Sequence, residues 1–440
     1  MESKTLNRSR VVLLAGAAAL LLTGMLTTTD SETRPVSHLL AAVAPAAAQA
    51  ESSRAAALRL ADEALAPRII DAPAALQGSP EARLIGIYQL IAAHQLDQAL
   101  YAADQLTREW PTFKLAHLVQ ADLLAARAAP LASFGAAAAA GRHTAQDLGL
   151  LQAEAQLRLR ALQERPPEGA VPAEFLLLPK SVRHAIAVDT SRARLYLFEN
   201  AEHGLRRVSD HYISVGKQGV DKLVEGDQRT PLGVYFITDR IDARSLEDRF
   251  GAGALPLNYP NAYDKVRGRT GSGILLHGVP SNTYSRPPQD SDGCVAMSNE
   301  DLLRLAAQLP QRDTPVVISR RIQWVAPAEV AERRRSFLDT MSQWKQARLE
   351  ANLDALDALY RPVQQAPGDL AAQEAKMRQR LATPAKAIDD LSVLTWSDEK
   401  DTMVVTFREQ AAGARRDRIV RQYWNRDGKD WRIVAEGPVR

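Results

Sequence analysis

The sequence GILLHGVPSNTYSRPPQDSDGCVAMSN, residues 273–299, determines how the middle of this 440-residue chain folds. The apolar run at its start predicts a buried strand that ends at His277. A polar, proline-rich loop follows, and the chain then returns through a glycine turn to Cys294, the only cysteine of the protein. Ser298 is predicted to cap a helix that begins after it. A strand, a loop, a turn and a helix start therefore surround one thiol.

Cys294 and His277 are placed as a nucleophile and its base. A thiol attacks a carbonyl as the thiolate, so it needs a nearby base or positive potential. The separation of 17 positions (294 − 277) lets a strand, loop and turn bring the two side chains within hydrogen-bond reach. Gly293 permits a close approach to substrate, and backbone N–H groups around Gly293 and Cys294 are predicted to face a developing oxyanion. The alternative is a buried apolar cysteine beside a structural histidine.

Two motifs resemble those of a known family. The HG pair at 277–278 followed by SDGCVAM at 291–297 resembles the signature of the YkuD-type L,D-transpeptidases, bacterial cell-wall enzymes with a mostly-β catalytic domain. The stretch GDQRTPLGVY at 226–235 resembles the family's T-P-x-G-x-Y/F sequence. Together the motifs cover roughly residues 180 to 320.

The resemblance implies roles for individual residues. Cys294 is the nucleophile, His277 acts first as base and then as acid, and the Gly278 carbonyl orients the imidazole as the third group. The turn before the nucleophile is assigned to the oxyanion loop and comprises Ser291, Asp292 and Gly293.

The sequence also departs from the family pattern. Asp292 stands where many members have His, and Ala296 stands where many have an Arg or Asn that is thought to help hold the substrate. Arg286 is therefore predicted to supply the missing positive charge, and Tyr284 is a second predicted contact to substrate. These departures leave the acceptor and the outcome of the reaction open.

Three functions are compatible with these residues. The first is a peptidoglycan L,D-transpeptidase that forms a cysteine thioester on tetrapeptide stems and then makes 3-3 cross-links or attaches a protein to the wall. The second is a cysteine hydrolase or amidase of the same family, which trims stems or releases wall-anchored protein. The third is a non-catalytic wall-binding scaffold, but an intact cysteine and histidine argue against it.

Composition excludes other classes. Apolar residues make up 46% of the chain, its net charge is +3, and its charges are interspersed, so no nucleic-acid partner is predicted. A single cysteine excludes an internal disulfide and a cysteine-type zinc site. The remaining histidines lack metal-ligand spacing. We therefore predict neither a metal nor a cofactor.

The N-terminus predicts export. Three basic residues precede an apolar run at 11–26, which has 16 residues, and AQA at 48–50 is a candidate cleavage site. Residues 1–50 are thus either a signal peptide or a signal anchor. Both place the rest of the chain in the periplasm, with membrane contact only through this segment if it is uncleaved. No cysteine follows the apolar run, so a lipoprotein anchor is excluded.

Residues 51–165 are predicted to be helical. The stretch 81–127 has the spacing of three short helices and resembles a tetratricopeptide-type hairpin, with a plain helical domain as the alternative. Such a module typically binds a protein, here a wall-attached lipoprotein or a division or cell-wall protein. Residues 166–180 are predicted to be a linker because of their proline and glycine content.

The remaining sequence predicts two further domains of a multidomain α+β protein. Residues 181–321 form the catalytic domain, a β-sandwich or barrel-like sheet with one helix and with strands at 184–189, 194–198, 211–215, 234–239 and 315–319. Residues 330–440 begin with a long helix and a second helical stretch. They end in strands joined at an Asp-Gly hairpin turn, 427–428. This pattern resembles the SnoaL-like cone-shaped α+β fold.

Overall fold

The fold is that of a computed structural model, and the structure describes residues 76–131, 133–139, 145–310, 312–360, 375, 377–397, 401–411 and 416–439. The predicted signal segment, 1–50, lies outside the described residues. The described chain divides into two compact units. A helical unit contains the residues up to Glu164 together with Asn282–Pro288, and a β-rich unit contains Arg165–Ser281 and the chain from Gln289 onward.

The helical unit contains five described helices: α1 (Pro80–Ala92), α2 (Leu96–Glu109), α3 (Lys114–Ala126), α4 (Ala136–Ala139) and α5 (Ala145–Gln163). The first three occupy the stretch predicted to hold three helices. Ser79 caps α1 by accepting a hydrogen bond from the Ala82 N–H at 3.2 Å. Helix α1 packs on α2, and α2 on α3, so that their apolar faces share one core.

A segment from the middle of the predicted catalytic loop belongs to this helical unit. Tyr284 is 4% exposed and is part of the helical core. Its ring centroid lies 4.3 Å from that of Phe113, and its backbone N–H donates to the Thr112 carbonyl at 3.2 Å. Ser285 donates to the Glu154 carboxylate at 2.7 Å. Apolar packing and hydrogen bonding therefore both hold this loop segment to the helices.

The main sheet of the β-rich unit has five strands in the order β5-β4-β3-β13-β7. Strands β3 and β13 are parallel, and the other neighbours are antiparallel. The bounds are β3 (His184–Asp189), β4 (Arg194–Ala201), β5 (Gly204–Tyr212), β7 (Gly233–Phe236) and β13 (Pro315–Ser319). Strands β3 and β13 begin and end at the predicted residues.

One predicted strand, 211–215, is interrupted. Strand β5 ends at Tyr212, and a new strand, β6 (Val215–Gly216), begins after a two-residue break. The break arises because the backbone changes partners: the Ile213 N–H donates to the Ala193 carbonyl, whereas Ser214 bonds with Ala296.

A second sheet holds the predicted nucleophile and base region. Its strands run in the order β12-β10-β9-β8, and β6 forms a separate parallel pair with β11. The bounds are β8 (Ile241–Asp242), β9 (Gly253–Pro256), β10 (Leu275–His277), β11 (Gln289–Ser291) and β12 (Val295–Ala296).

The described residues of the predicted catalytic domain form two α-helices, where the sequence predicted one. The unpredicted helix is α6 (Ala262–Val266), which a capping box between Asn261 and Asp264 stabilises. The predicted helix is α7 (Asn299–Gln308), and Ser298 caps it by accepting from the Asp301 N–H at 3.2 Å. The capping prediction at Ser298 is confirmed.

The C-terminal part of the β-rich unit packs a long helix on an antiparallel sheet of strands β18-β17-β16-β15, with a fifth strand from residues 175–177 at its edge. The Asp-Gly hairpin lies where it was predicted, between β17 and β18. The elements are α8 (Pro327–Glu350), α9 (Leu353–Asp357), β15 (Ala385–Ser397), β16 (Asp401–Ala411), β17 (Arg418–Asp427) and β18 (Asp430–Pro438).

The predicted linker also contributes strands. Strand β1 (Val171–Pro172) pairs with β14 (Trp324–Val325), and β2 (Phe175–Leu177) pairs with β15 at the edge of the C-terminal sheet. Phe175 is buried, with its ring centroid 5.7 Å from that of Phe198. Its burial explains why this segment is ordered despite a linker-like composition.

None of the helices in the described ranges has the length and hydropathy of a membrane span.

Candidate active site

His277 lies at the end of a strand that is paired on both sides. Strand β10 runs antiparallel to β9 and parallel to β12, with His277 opposite Ala254 on one side and Ala296 on the other. Its carbonyl accepts the Met297 N–H at 3.0 Å, and the side chain is 3% exposed. The backbone of this residue is therefore fixed by neighbours on both sides.

The hydrogen bond of the imidazole determines its tautomer. Nδ1 of His277 lies 2.6 Å from the Gly278 carbonyl oxygen. A carbonyl only accepts, so Nδ1 carries the hydrogen and donates it. The neutral ring then has its lone pair on Nε2, the nitrogen that can take a proton from a thiol. The ring of Phe250 packs edge-on against the imidazole at a centroid distance of 5.3 Å.

Asn299, the first residue of α7, fixes the backbone that follows His277. Its Oδ1 accepts the N–H groups of Ala252 at 2.8 Å and Val279 at 3.1 Å, and its Nδ2 donates to the Val279 carbonyl at 2.9 Å. A Cβ at Gly278 would lie 2.8 Å from the Ala252 nitrogen, so only glycine fits there. The carbonyl that holds the imidazole is itself held in place.

Cys294 immediately precedes β12, the parallel neighbour of the strand that carries His277. Adjacent strands lie about 4.8 Å apart, so this pairing brings the cysteine and histidine segments side by side. The thiol is partly exposed, and its Sγ lies 3.5 Å from the Gly273 carbonyl oxygen. The predicted nucleophile and base are thus on neighbouring backbone segments.

The turn before Cys294 is held by Ser291. The Ser291 hydroxyl donates to the Cys294 carbonyl at 2.6 Å and accepts the Gly293 N–H at 3.1 Å. Gly293 has φ +122°, and a Cβ there would lie 2.8 Å from the Arg229 carbonyl oxygen. Because the Gly293 N–H points at Ser291, the prediction that it faces an oxyanion disagrees with this geometry.

Asp292 lies on the outside of the same turn. Its Oδ1 is 3.1 Å from the Lys217 ammonium, and the Gln228 amide donates to the same oxygen at 3.3 Å. Lys217 and Gln228 therefore hold the Asp292 carboxylate, two residues before the predicted nucleophile.

The two predicted substrate contacts lie outside the β-rich unit. Arg286 is half-buried and belongs to the helical unit with Asn282–Pro288. Tyr284 belongs to the same segment, where its ring packs on Phe113 in the helical core. A buried packing residue does not present its ring to a ligand, so the substrate-binding prediction for Tyr284 is not carried forward.

A buried polar network anchors α7 next to the site. His211 Nδ1 lies 2.9 Å from Asp301 Oδ1, the Ser298 hydroxyl donates to Oδ2 at 2.7 Å, and Arg304 donates to Oδ1. Burial alone would raise the pKa of Asp301, but these hydrogen bonds and the charge of His211 outweigh it and hold the pKa well below its usual range.

Sequence reasoning missed three side chains at this site: Lys217, Gln228 and Asn299. Each acts on a segment far away in the chain, and Lys217 and Asp292 are separated by 75 positions. The available signals were weak: a lysine directly after a glycine, and an asparagine directly after a cap serine. The described residues contain no group of three or more His, Cys, Asp or Glu side chains placed to hold a metal ion.

Comparison with known proteins agrees with the motifs. Residues 183–318 match the family model described as YkuD, an L,D-transpeptidase catalytic domain. This family acts on peptidoglycan stem peptides. No curated protein sequence matches the chain.

Several solved structures align with part of this chain. Bd1075 of Bdellovibrio bacteriovorus aligns with a TM-score of 0.50 at 22% identity, over 61% of this chain and 98% of that chain. The helical cell shape determining protein Pgp2 of Campylobacter jejuni aligns with a TM-score of 0.48 at 20% identity, over 58% of this chain and 91% of that chain. An L,D-transpeptidase from Mycobacterium smegmatis aligns with a TM-score of 0.21 at 13% identity, over 31% of this chain and 58% of that chain. The similarity to Bd1075 identifies the fold.

Proposed function

We propose that this protein is a cysteine acyltransferase of peptidoglycan that acts on tetrapeptide stems. The observation that carries the proposal is the pairing of the Cys294 and His277 segments on adjacent parallel strands, inside a region that matches the L,D-transpeptidase catalytic domain. The Nδ1 hydrogen bond to Gly278 supports it further, because it leaves the basic lone pair on Nε2.

In the first half of the reaction His277 Nε2 takes the thiol proton, and Sγ attacks the carbonyl of the L-centre of diaminopimelate. The tetrahedral intermediate collapses as the protonated imidazole gives its proton to the amine of the leaving D-alanine. The product is a thioester between Cys294 and the shortened stem. The Gly278 carbonyl stabilises the imidazolium that exists between the two proton transfers.

In the second half an acceptor amine loses a proton to His277 and attacks the thioester. An amine on a second stem gives a 3-3 cross-link, and an amine on a protein gives attachment to the wall. The thiol regains its proton from the imidazolium, which restores the starting state.

The second candidate is hydrolysis, in which water replaces the amine acceptor. Position 296 favours it: Ala296 is 1% exposed and apolar where many family members place Arg or Asn. Without that side chain a stem is held less firmly, and small, abundant water competes better for the thioester. The enzyme would then trim stems or release wall-anchored protein.

Mass analysis of wall fragments after incubation with purified residues 51–440 separates the candidates. Transfer gives cross-linked dimers or stem–protein conjugates and releases D-alanine. Hydrolysis gives stems shortened by one residue with a new carboxylate. A third possibility, a wall-binding scaffold, requires that an activated β-lactam does not acylate Cys294. An unmodified wall together with unlabelled Cys294 would reject both enzymatic proposals.

We further propose that the chain acts in the periplasm, with residues 1–50 as the export segment. A phosphatase fused at residue 60 should be active outside the cytoplasm, and an inactive fusion would refute export. The domain assignments at 51–165, 166–180, 181–321 and 330–440 are proposed with it. The packing of consecutive helices on one another supports a tetratricopeptide-like, partner-binding helical region, and a long helix on an antiparallel sheet supports a SnoaL-like C-terminal domain.

A further inference from the structure

Two hydrogen-bond donors converge on a single carboxylate oxygen of Asp292, two residues before the predicted nucleophile. Lys217 directly follows β6, and its backbone N–H donates to the Ser291 carbonyl at 2.7 Å. Its ammonium lies 3.1 Å from Oδ1 of Asp292, and the Gln228 amide donates to the same atom at 3.3 Å. The backbone of the turn before Cys294 therefore fixes the backbone position of Lys217. Asp292 occupies the place that a carboxylate from solution would take.

Replacing Asp292 with another carboxylate has a small energetic cost. The lysine side chain is 44% exposed and the aspartate side chain is 67% exposed. An exposed ion pair of this kind contributes ~0–1 kcal/mol, because water solvates both charges well when they separate. A ligand carboxylate that is also held elsewhere on the protein can therefore exchange with Asp292.

The position of Lys217 compensates for the apolar residue at 296. Ser214 exchanges two backbone hydrogen bonds with Ala296, at 2.8 and 2.9 Å, so the segment that leads to Lys217 is the antiparallel neighbour of position 296. Three residues beyond this bridge the chain places an ammonium next to the nucleophile turn. A positive charge is thus present near the site although it does not come from residue 296.

We propose that Lys217 and Gln228 form a carboxylate-binding subsite beside Cys294, in which the terminal carboxylate of a peptide replaces Asp292. Lys217 is then a specificity residue that selects substrates with a free carboxylate. The identification of the ligand as a stem peptide rests on the proposed function. The existence of the subsite does not, because any small carboxylate should be attracted to it.

Alkylation of Cys294 in the full chain tests the subsite without any peptidoglycan. Iodoacetate carries a carboxylate and iodoacetamide does not, so the ratio of their alkylation rates reports attraction of an anion and cancels changes in thiol ionisation. Lys217→Gln should lower this ratio about fivefold, and Lys217→Arg should retain it. Asp292→Asn should raise the ratio because the ammonium no longer has a competing carboxylate. High salt should reduce all these differences.

Lys345→Gln is the matched control. It removes the same charge from an exposed lysine on the long C-terminal helix α8 and should leave the ratio unchanged. A wild-type ratio in Lys217→Gln, or an equal fall in Lys345→Gln, would overturn the proposal. If the ratio of alkylation rates falls in Arg286→Gln but not in Lys217→Gln, the positive charge of the subsite belongs to Arg286 instead.

Turnover then identifies the ligand. Lys217→Gln should raise the KM for a tetrapeptide with a free terminal carboxylate several-fold, while the KM for the same peptide with a terminal amide stays unchanged. Equal KM changes for acid and amide would overturn carboxylate selection. If the wild type turns over neither peptide, the proposed function fails, whereas the alkylation ratio still decides whether the subsite exists.

Discussion

Asn299 and Val279 are joined by two hydrogen bonds in opposite directions: the Asn299 Nδ2 donates to the Val279 carbonyl at 2.9 Å, and the Val279 N–H donates to Oδ1 at 3.1 Å. The first residue of a helix thereby fixes the backbone two positions beyond His277. Because these bonds reach His277 through the backbone, we regard Asn299 as a positioning residue.

Asn299→Ala should impair catalysis through His277. It leaves backbone groups of Ala252 and Val279 without their partner, which should lower the free energy of unfolding by ~1–3 kcal/mol. We expect kcat to fall about tenfold with little change in KM, since a displaced Gly278 carbonyl supports the imidazolium less well. The pH profile of kcat should shift with it. Asn299→Asp retains the acceptor and should be less impaired, and equal kcat values in wild type and both variants would contradict the positioning role.

Cys294→Ser should abolish turnover without unfolding the protein. A hydroxyl has nearly the same shape as a thiol but is hardly ionised near neutral pH, so the attacking species is lost. Release of D-alanine should drop by several orders of magnitude, and Tm should stay close to that of the wild type. Wild-type turnover in this variant would exclude Cys294 as the nucleophile.

Glu174 should make stability fall as pH rises. Its side chain is 7% exposed, and burial raises its pKa to about 7, partly offset by the hydrogen bond from the Gln323 N–H. The unfolded chain loses this proton near pH ~4.3, so between that pH and 7 the folded state binds more protons and loses stability with increasing pH. The total effect should reach about 4 kcal/mol, because each unit of pKa difference corresponds to ~1.4 kcal/mol.

Glu174→Gln removes this titration while keeping the shape and an acceptor for Gln323. Urea unfolding at pH 5 and pH 8 should therefore show a smaller loss of stability in the variant than in the wild type. Part of the pH dependence of stability should remain in the variant, because burial also raises the pKa of Asp264, to about 6. Identical pH dependence in the two proteins would show that Glu174 is not held protonated by burial.

Tyr284→Ala should destabilise the helical unit. The ring is 4% exposed and packs on Phe113, and truncation of a buried aromatic side chain typically costs ~3–5 kcal/mol. Tyr101→Ala is the matched control, because Tyr101 is 58% exposed on α2 of the same unit. Hydrogen exchange of helices α1 to α3 should increase in the first variant only. Similar exchange in both variants would contradict the packing role of Tyr284.

The elements that local sequence determines were predicted well. Strands β3 and β13 are continuous apolar runs that are buried on both faces, so their bounds could be read directly. The Ser298 cap and the Asp-Gly hairpin depend on residues three or fewer positions apart, and both are present. The YkuD-type region was recognisable because its motif combines a rare cysteine with glycines at fixed spacing.

The features that were missed depend on distant contacts. Strand β2 was taken for linker because proline and glycine dominate its neighbourhood, yet Phe175 finds a buried position against Phe198. The Gly293 N–H was expected to face an oxyanion, whereas in the structure it donates to the side chain of Ser291, two residues away. Lys217 and Gln228 contact Asp292 although they are 75 and 64 positions away in the chain, and no local sequence pattern predicts such pairs.

The membership of Asn282–Pro288 in the helical unit has a practical consequence for dissecting this protein. A fragment of residues 181–321 alone would lack Phe113, so the Tyr284 ring would be exposed to water. An exposed apolar ring favours aggregation and low solubility. The same fragment would lack strand β2 as well. Negative assays on such a product would report damage from truncation rather than lack of activity. Functional complementation and crystallisation trials should therefore use chains that retain both the helices and the C-terminal sheet.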